Sequence, residues 1–312
     1  MSRRSVVLGV DGGGNRTLCL VSDDLGNVLA QRQAGASAPL RVGIDSAAKT
    51  LFHLITKCCE EARCTPDDLS AMVLGLAGVE RATDRKHIED SLNAHAARAG
   101  LKPFPVTVET YARVALEGAF DGRPGVLLMA GEDSMVIGKT PKGKVVTAGG
   151  WGRILGDEGS GYYIGREALV AIAQHADRLT NAGTLSDVIA QKFHWQSREE
   201  IIAAVYRQKF DIASLAPVVL QTAANNDLVA QRIVQKAATL LAEQVRVVAM
   251  QMGILHKVGL VLMGTLLDRE PVYLDTVHLK ILKLLPQVEV RPALHSPAHG
   301  AVLIALSQLT KK

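Results

Sequence analysis

From residue 5 to residue 33 an apolar run breaks at the glycine turn Asp11-Gly12-Gly13-Gly14, resumes over Thr17 to Val21, turns at Asp24-Leu25-Gly26-Asn27 and resumes over Val28 to Gln33. The same order recurs from Gly125: Val126 to Met129, the turn Gly131-Glu132-Asp133-Ser134, Met135 to Lys139, a Pro-Lys-Gly turn, and Lys144 to Thr147. Short apolar runs separated by glycine-bearing turns predict antiparallel meanders. Two of them, each opening one half of a 312-residue chain, predict two domains that repeat one plan. With 48% apolar residues the chain has material for two moderate cores.

Helical spacing follows each meander, over Ser46 to Arg63 and over Arg166 to Ala176, while Ala71 to Leu76 and Val106 to Glu109 read as buried strands. Pro217 to Gly253, rich in Ala, Leu, Val and Gln, predicts one or two long helices broken near Asn225-Asn226. Leu260 to Met263 ends as a buried strand in Gly264-Thr265, and Val302 to Leu309 predicts a closing helix that returns to the first domain. The domains are expected at 1–117 plus about 296–312, and at 118–295.

Charge and composition exclude several classes. The 35 basic and 31 acidic residues leave +4 with no long basic run, and 4% aromatics make no stacking platform, so nucleic acid is not an implied partner. The longest apolar stretch, Val258 to Leu267, is short of the roughly 20 residues a membrane helix needs. Cys19, Cys58, Cys59 and Cys64 form no CxxC pair and read as reduced thiols. The opening residues reach Asp11 too soon for a signal sequence, so a cytoplasmic protein is expected.

Three motifs carry chemistry. In Asp11-Gly12-Gly13-Gly14-Asn15-Arg16-Thr17, glycines between two strands let backbone amides approach an anion, and Asp11 is placed to hold Mg²⁺ through its water shell. A hairpin without ligand is the plainer alternative. The spacing is neither a Walker A loop nor a dinucleotide fingerprint, since a strand follows instead of a helix. The segment from Gly149-Gly150-Trp151-Gly152 through Gly156-Asp157-Glu158-Gly159-Ser160 reads as a close-packed loop before a helix near Arg166. Asp157 and Glu158 can accept hydrogen bonds from hydroxyls and Trp151 offers an apolar face, a combination that suits a sugar. The alternative there is an acidic pair capping a helix beside a core tryptophan. His295 and His299, with no third ligand at zinc-binding spacing, read as polar residues beside a turn.

The order Asp-Gly-Gly-Gly, Gly75-Leu76-Ala77-Gly78, Gly149-Gly150-Trp151-Gly152, Leu155-Gly156-Asp157-Glu158-Gly159-Ser160 and Pro297-Ala298-His299-Gly300-Ala301 resembles N-acetylglucosamine kinases and the wider BadF/BadG/BcrA/BcrD ATPase family, over essentially the whole chain. The resemblance implies an α/β fold of two RNase H-like (actin-like ATPase) domains, each a mixed sheet with flanking helices, and a ligand cleft between them. It implies ATP and Mg²⁺ as cofactors, a small-molecule sugar as substrate, and homodimerisation as usual among such kinases. By motif position, Asp11, Gly12, Gly13, Gly14, Asn15, Arg16 and Thr17 stand as the first phosphate loop. Gly131 and Ser134 stand as the second, and Gly264-Thr265 on the adenosine side. Ser37, Gly78, Gly150, Trp151, Asp157 and Glu158 stand on the sugar side.

The chain departs from that pattern at four places, one being Thr265 in place of the adenosine loop's second glycine. Tyr111 occupies the position of the family's catalytic aspartate, and a phenol with a reference pKa of about 10 is a poor base at neutral pH. Glu109, two residues earlier, points the same way if the strand persists, which makes it the substitute base. Glu132-Asp133 replaces a small, hydroxyl-bearing loop, and Ala38 replaces an asparagine expected to bond the sugar. Three readings follow: an amino-sugar kinase with weakened catalysis, a non-catalytic sensor or partner subunit, and, ranked last, an iron–sulfur activator ATPase. The cysteines do not match that activator's cluster ligands.

Overall fold

The computed structural model describes residues 5–181, 183–253 and 257–309. Met1 to Arg4, part of the basis for expecting no leader, lie outside the described residues. The chain divides into two compact units, Met1–Pro124 with Pro292–Lys312, and Gly125–Arg291.

The first unit opens with β1 (Val6–Gly12), β2 (Thr17–Asp23) and β3 (Val28–Ala34), an antiparallel meander with the glycine turn between its first two strands. A short α1 (Pro39–Val42) leads into α2 (Ile44–Glu61), whose buried residues Ala47, Ala48, Leu51, Leu54, Ile55, Cys58 and Cys59 recur at three- and four-residue steps and make one apolar face. β4 (Leu69–Leu76), α3 (Ala82–Arg98), β5 (Val106–Thr110) and α4 (Tyr111–Phe120) follow. The sheet order is β3-β2-β1-β4-β5, with β4 and β5 parallel to β1. Its even-numbered β1 residues Leu8 and Val10 pack with α2 and α3, while Val7 belongs to a second core on the opposite face.

The second unit repeats the plan. β6 (Gly125–Ala130), β7 (Ser134–Lys139) and β8 (Val145–Gly149) form its meander. Helices α5 (Gly161–Ala176), α6 (Leu185–Phe193), α7 (Arg198–Tyr206), α8 (Ala216–Ala224) and α9 (Leu228–Gln251) follow, with the predicted break at Asn225-Asn226. Then come β9 (Val258–Met263), α10 (Thr265–Arg269), α11 (Pro271–Leu284) and β10 (Val288–Val290). The order β10-β9-β6-β7-β8 is the first sheet's order in this unit's own strands, read from the other edge.

The chain ends with α12 (Pro297–Leu309), which packs on the first unit's sheet through Ala298, Ala301, Val302 and Ala305. A Cβ on Gly9 would stand 2.5 Å from the Ala298 carbonyl oxygen, so a side chain there would push α12 off β1. Among the described residues no helix is long and apolar enough to cross a membrane.

Two sequence expectations are corrected here. The helix after the acidic pair begins at Gly161 instead of near Arg166, because the Ser160 hydroxyl accepts from the Tyr163 amide at 3.1 Å and caps it there. The strand before Tyr111 ends at Thr110, whose hydroxyl accepts from the Arg113 amide at 3.2 Å and starts α4. Glu109 and Tyr111 are therefore not alternate residues of one strand.

Candidate functional site

In the first unit, the parallel register places Asp11, Gly75 and Glu109 side by side across β1, β4 and β5. Strand alternation then settles their face. Val10 and Val108 pack with α2 and α3, so Asp11 and Glu109 both lie on the other face, at the carboxyl ends of their strands. Two strand spacings of about 4.8 Å separate them, with glycine between. A Cβ on Gly75 would meet the Val114 side chain at 2.1 Å, so the glycine also lets α4 lie close to the row. Tyr111, half-buried, opens α4 directly after it.

Asp11 is only 8% exposed, and burial pushes its carboxyl up to about 6, partly offset by the Arg16 guanidinium. A carboxylate held where its own charge is poorly solvated suits a hard divalent cation, which is the donor chemistry that Mg²⁺ takes. The turn beyond it is braced from within. Gly13 donates to the Arg16 carbonyl at 2.9 Å, and its own carbonyl accepts from Ser37 and Ala38 at 3.1 and 3.2 Å. The Gly12 carbonyl accepts from Ala77 at 3.0 Å, which brings Gly78 against the same turn. The Thr17 hydroxyl is buried, donates to the Gly35 carbonyl at 2.6 Å and shares a hydrogen bond with the Ser37 hydroxyl at 2.8 Å. Thr17 and Ser37 thus support the turn with their side chains, while Asn15 and Arg16 are exposed on it.

Sequence reading missed one residue of this turn. Arg41, in α1, donates from Nη1 to the Asn15 side-chain oxygen at 2.7 Å and gives the loop a second guanidinium beside Arg16. Nothing local signals it, since 26 residues separate the pair.

In the second unit, Gly131, Ser134, Gly264 and Thr265 meet at one end of the sheet, where β6 and β9 finish and β7 begins. Gly264 has φ of 119°, and a Cβ there would stand 2.4 Å from the Ala130 carbonyl oxygen, so glycine is required for this approach. Gly131 donates to the Asp133 carbonyl at 2.8 Å and makes a tight turn that leaves Glu132 and Asp133 exposed. Their carboxylates are solvated, which weakens their mutual repulsion.

The acidic-pair segment docks on this turn. Gly161 and Tyr162, the first residues of α5, donate to the carbonyls of Gly131 and Glu132 at 2.8 and 3.3 Å. The Ser134 hydroxyl donates to the Glu158 carbonyl at 2.9 Å, and the Ser134 amide approaches Asp157 Oδ1 at 3.5 Å. Asp157 is buried with a left-handed φ of 57°, and burial raises its pKa above the usual carboxylate range, partly offset by the Ser134 amide. The Tyr273 hydroxyl, 114 residues away in sequence, donates to the Gly159 carbonyl at 2.7 Å and pins the segment from beneath.

Close packing holds only for the second half of that segment. Trp151, Ile154 and Leu155 are 75%, 86% and 76% exposed, which corrects both the expectation of a uniformly packed loop and the core-tryptophan alternative. The turn Gly152 to Gly156 closes on itself instead, through Gly156 donating to the Gly152 carbonyl at 2.8 Å. A groove of about 680 Å³ elsewhere in this unit, lined by Gln221, Gln235, Glu270 and Tyr273 among others, contains none of the residues chosen from sequence.

The chain resembles known proteins over nearly its whole length. The sequence profile described as the BadF/BadG/BcrA/BcrD ATPase family matches residues 8–305. An N-acetylmuramic acid/N-acetylglucosamine kinase of Clostridium acetobutylicum is 31% identical over 307 residues, covering 97% of this chain and 98% of the relative. An N-acetyl-D-glucosamine kinase of Dictyostelium discoideum is 26% identical over 318 residues, covering 97% and 98%. A crystal structure from Chromobacterium violaceum, of a protein assigned to the N-acetylglucosamine kinases, superposes with a TM-score of 0.71 at 25% identity over 97% of this chain and 99% of that one. The ROK hexokinase of Thermus thermophilus, at 18% identity and a TM-score of 0.60 over 98% and 100%, shares the fold.

Proposed function

This chain belongs to the BadF/BadG/BcrA/BcrD ATPase family, and from that membership we propose that it is an ATP-dependent kinase of an amino sugar of the N-acetylglucosamine or glucosamine type. The observation that carries the reading is the buried Asp11 beside the glycine turn, with Glu109 on the same face of the same row. Family membership supports ATP use, and the three relatives named as kinases of N-acetylmuramic acid, N-acetylglucosamine or glucosamine support the substrate class.

Each residue has a role in this proposal. Asp11 holds the water shell of Mg²⁺, and the Asp11–Thr17 turn, with Arg16 and Arg41 at its rim, orients phosphate oxygens. Gly131 and Ser134 do the same from the second unit's turn, with Gly264-Thr265 on the adenosine side. Ser37 and Gly78, with Gly150, Trp151, Asp157 and Glu158, stand on the sugar side, the last two as carboxylates that accept from sugar hydroxyls and Trp151 as an apolar face. Glu109 takes the proton from the attacking sugar hydroxyl, because Tyr111 cannot do so at neutral pH. When bound, Mg-ATP supplies the transferable phosphoryl group and neutralises its developing charge.

A coupled assay of ADP release tests this with N-acetylglucosamine, glucosamine, N-acetylmuramic acid and glucose, each with and without Mg²⁺. Turnover of at least one amino sugar is expected, lost in Glu109→Gln and raised in Tyr111→Asp. No ADP release with any of the four sinks the kinase reading. The second reading, a non-catalytic sensor or partner subunit, rests on the coincidence of Tyr111, Glu132-Asp133 and Ala38, the last of which is buried and offers the sugar no hydrogen bond. Millimolar or absent Mg-ATP binding, measured by calorimetry, would favour it, and micromolar binding would favour the kinase.

A further inference from the structure

One side-chain cluster takes no part in the functions above. Asp121, His295 and His299 each offer one ligand atom, and the three atoms lie within 4.8 Å of one another. All three belong to the first unit. Asp121 is the left-handed C-cap of α4, with φ of 53°, and the histidines flank the start of α12. His295 Nε2 is 3.6 Å from Asp121 Oδ1, and the two imidazole rings stack with centroids 4.2 Å apart and planes 26° from parallel.

The backbone beneath the cluster is fixed by close packing. Leu294 and His295 donate to the carbonyls of Ala119 and Gly118, both at 3.1 Å, and the His299 amide donates to the Ser296 hydroxyl at 3.3 Å. α4 and α12 cross through two glycines. A Cβ on Gly118 would stand 2.3 Å from the Ser296 carbonyl oxygen, and one on Gly300 1.9 Å from that of Val114. The three side chains are therefore held on a rigid corner, not on a loose loop.

Two imidazoles facing each other are tolerated when neutral and repel when both are protonated. The neutral ring is the form that ligates metals. Around a tetrahedral ion with bonds of about 2.0–2.1 Å, ligand atoms stand roughly 3.4 Å apart. The His295–Asp121 distance is already close to that, and closing on one ion requires the stacked imidazoles to rotate so that the third atom, within 4.8 Å of the other two, also faces it.

We propose that Asp121, His295 and His299 form a binding site for a divalent transition-metal ion of the zinc type, which ties the start of α12 to the end of α4. Two nitrogens and one carboxylate oxygen select a borderline ion over Mg²⁺, which prefers oxygen alone. Three protein ligands leave a fourth position to water. α4, ten residues and about 15 Å long, separates this corner from Tyr111, so the ion is not the one that accompanies nucleotide.

The test is a calorimetric titration of the untagged full chain with Zn²⁺ alone, at about neutral pH and without nucleotide or sugar. One event of micromolar or tighter affinity per chain is expected, reversed by a chelator, with a raised melting temperature. The double variant His295→Ala/His299→Ala should bind at least about tenfold more weakly. Titration of the wild-type chain with Co²⁺ supplies a readout that does not depend on the variant folding: weak visible bands are expected, without the intense near-ultraviolet absorption of thiolate ligation. Absence of micromolar binding, unchanged affinity in the double variant, or thiolate bands from the cysteines would each overturn the proposal.

Discussion

In the proposed kinase, Asp11 joins stability to function at a single side chain. Its folded pKa of about 6 lies above the usual aspartate value of 3.8, so the folded state holds the proton more firmly than the unfolded chain does. The group's contribution is most favourable below about 3.8, declines as pH rises toward about 6, and stays unfavourable above that. Asp11→Asn removes the penalty and is expected to stabilise the protein at pH 8 by up to about 3 kcal/mol in urea unfolding, while abolishing ADP release. A variant less stable than wild type at that pH would mean that the carboxylate has favourable contacts which outweigh its burial. The place of this residue at the end of β1 is legible from the strand-turn-strand pattern. Its neighbours are not: the sequence places Glu109 beside Tyr111 only if the strand persists, and Glu109 shares a row with Asp11 for a different reason, the register of β4 against both strands.

Between elements, the most heavily used side chain is Asp227. One carboxylate oxygen accepts from the amides of Val229 and Ala230 at the start of α9, and the other from the amides of Thr184 and Leu185 at the start of α6. Burial alone would raise its pKa, but these bonds with that from the Thr184 hydroxyl outweigh it and lower it. The stability it contributes is present above the ordinary aspartate range and is lost as pH falls below about 4. Asp227→Ala should cost about 2–3 kcal/mol at neutral pH, because two helices lose a cap and buried amides lose an acceptor. Thermal unfolding at pH 7 and at pH 3 checks this, and the difference between variant and wild type should shrink at the lower pH. An Asn-Asn-Asp run before an apolar stretch announces the cap of α9. The second helix it caps is 42 residues upstream in sequence and has no local mark.

For the whole molecule, the consequential fact is that the first unit takes elements from both ends of the chain. α12 covers Val7, Val73 and Val114, all fully buried, with four small or β-branched residues. A chain truncated after Arg291 would expose that face, and each apolar side chain laid bare costs roughly 1.5–3 kcal/mol, a sum beyond the margin of an ordinary domain. Loss of the first unit's cooperative unfolding transition is expected, measured by calorimetry, while the second unit keeps its own. Survival of both transitions would show that α12 is dispensable to that core.

The meanders, the glycine turns between their strands, the long helices and the break at Asn225-Asn226 follow from residue spacing and turn chemistry, which act within a few residues and so can be read along the chain. Helix starts at Gly161 and Tyr111 escaped that reading because a single capping hydroxyl outweighed the periodicity around it. The alignment of Asp11 with Glu109, the bracing of the glycine turn by Ser37 and Arg41 and the meeting of Asp121 with His295 and His299 come from strand register, loop contacts and helix crossing. Those join residues tens or hundreds of positions apart, and no local pattern encodes which of them will touch.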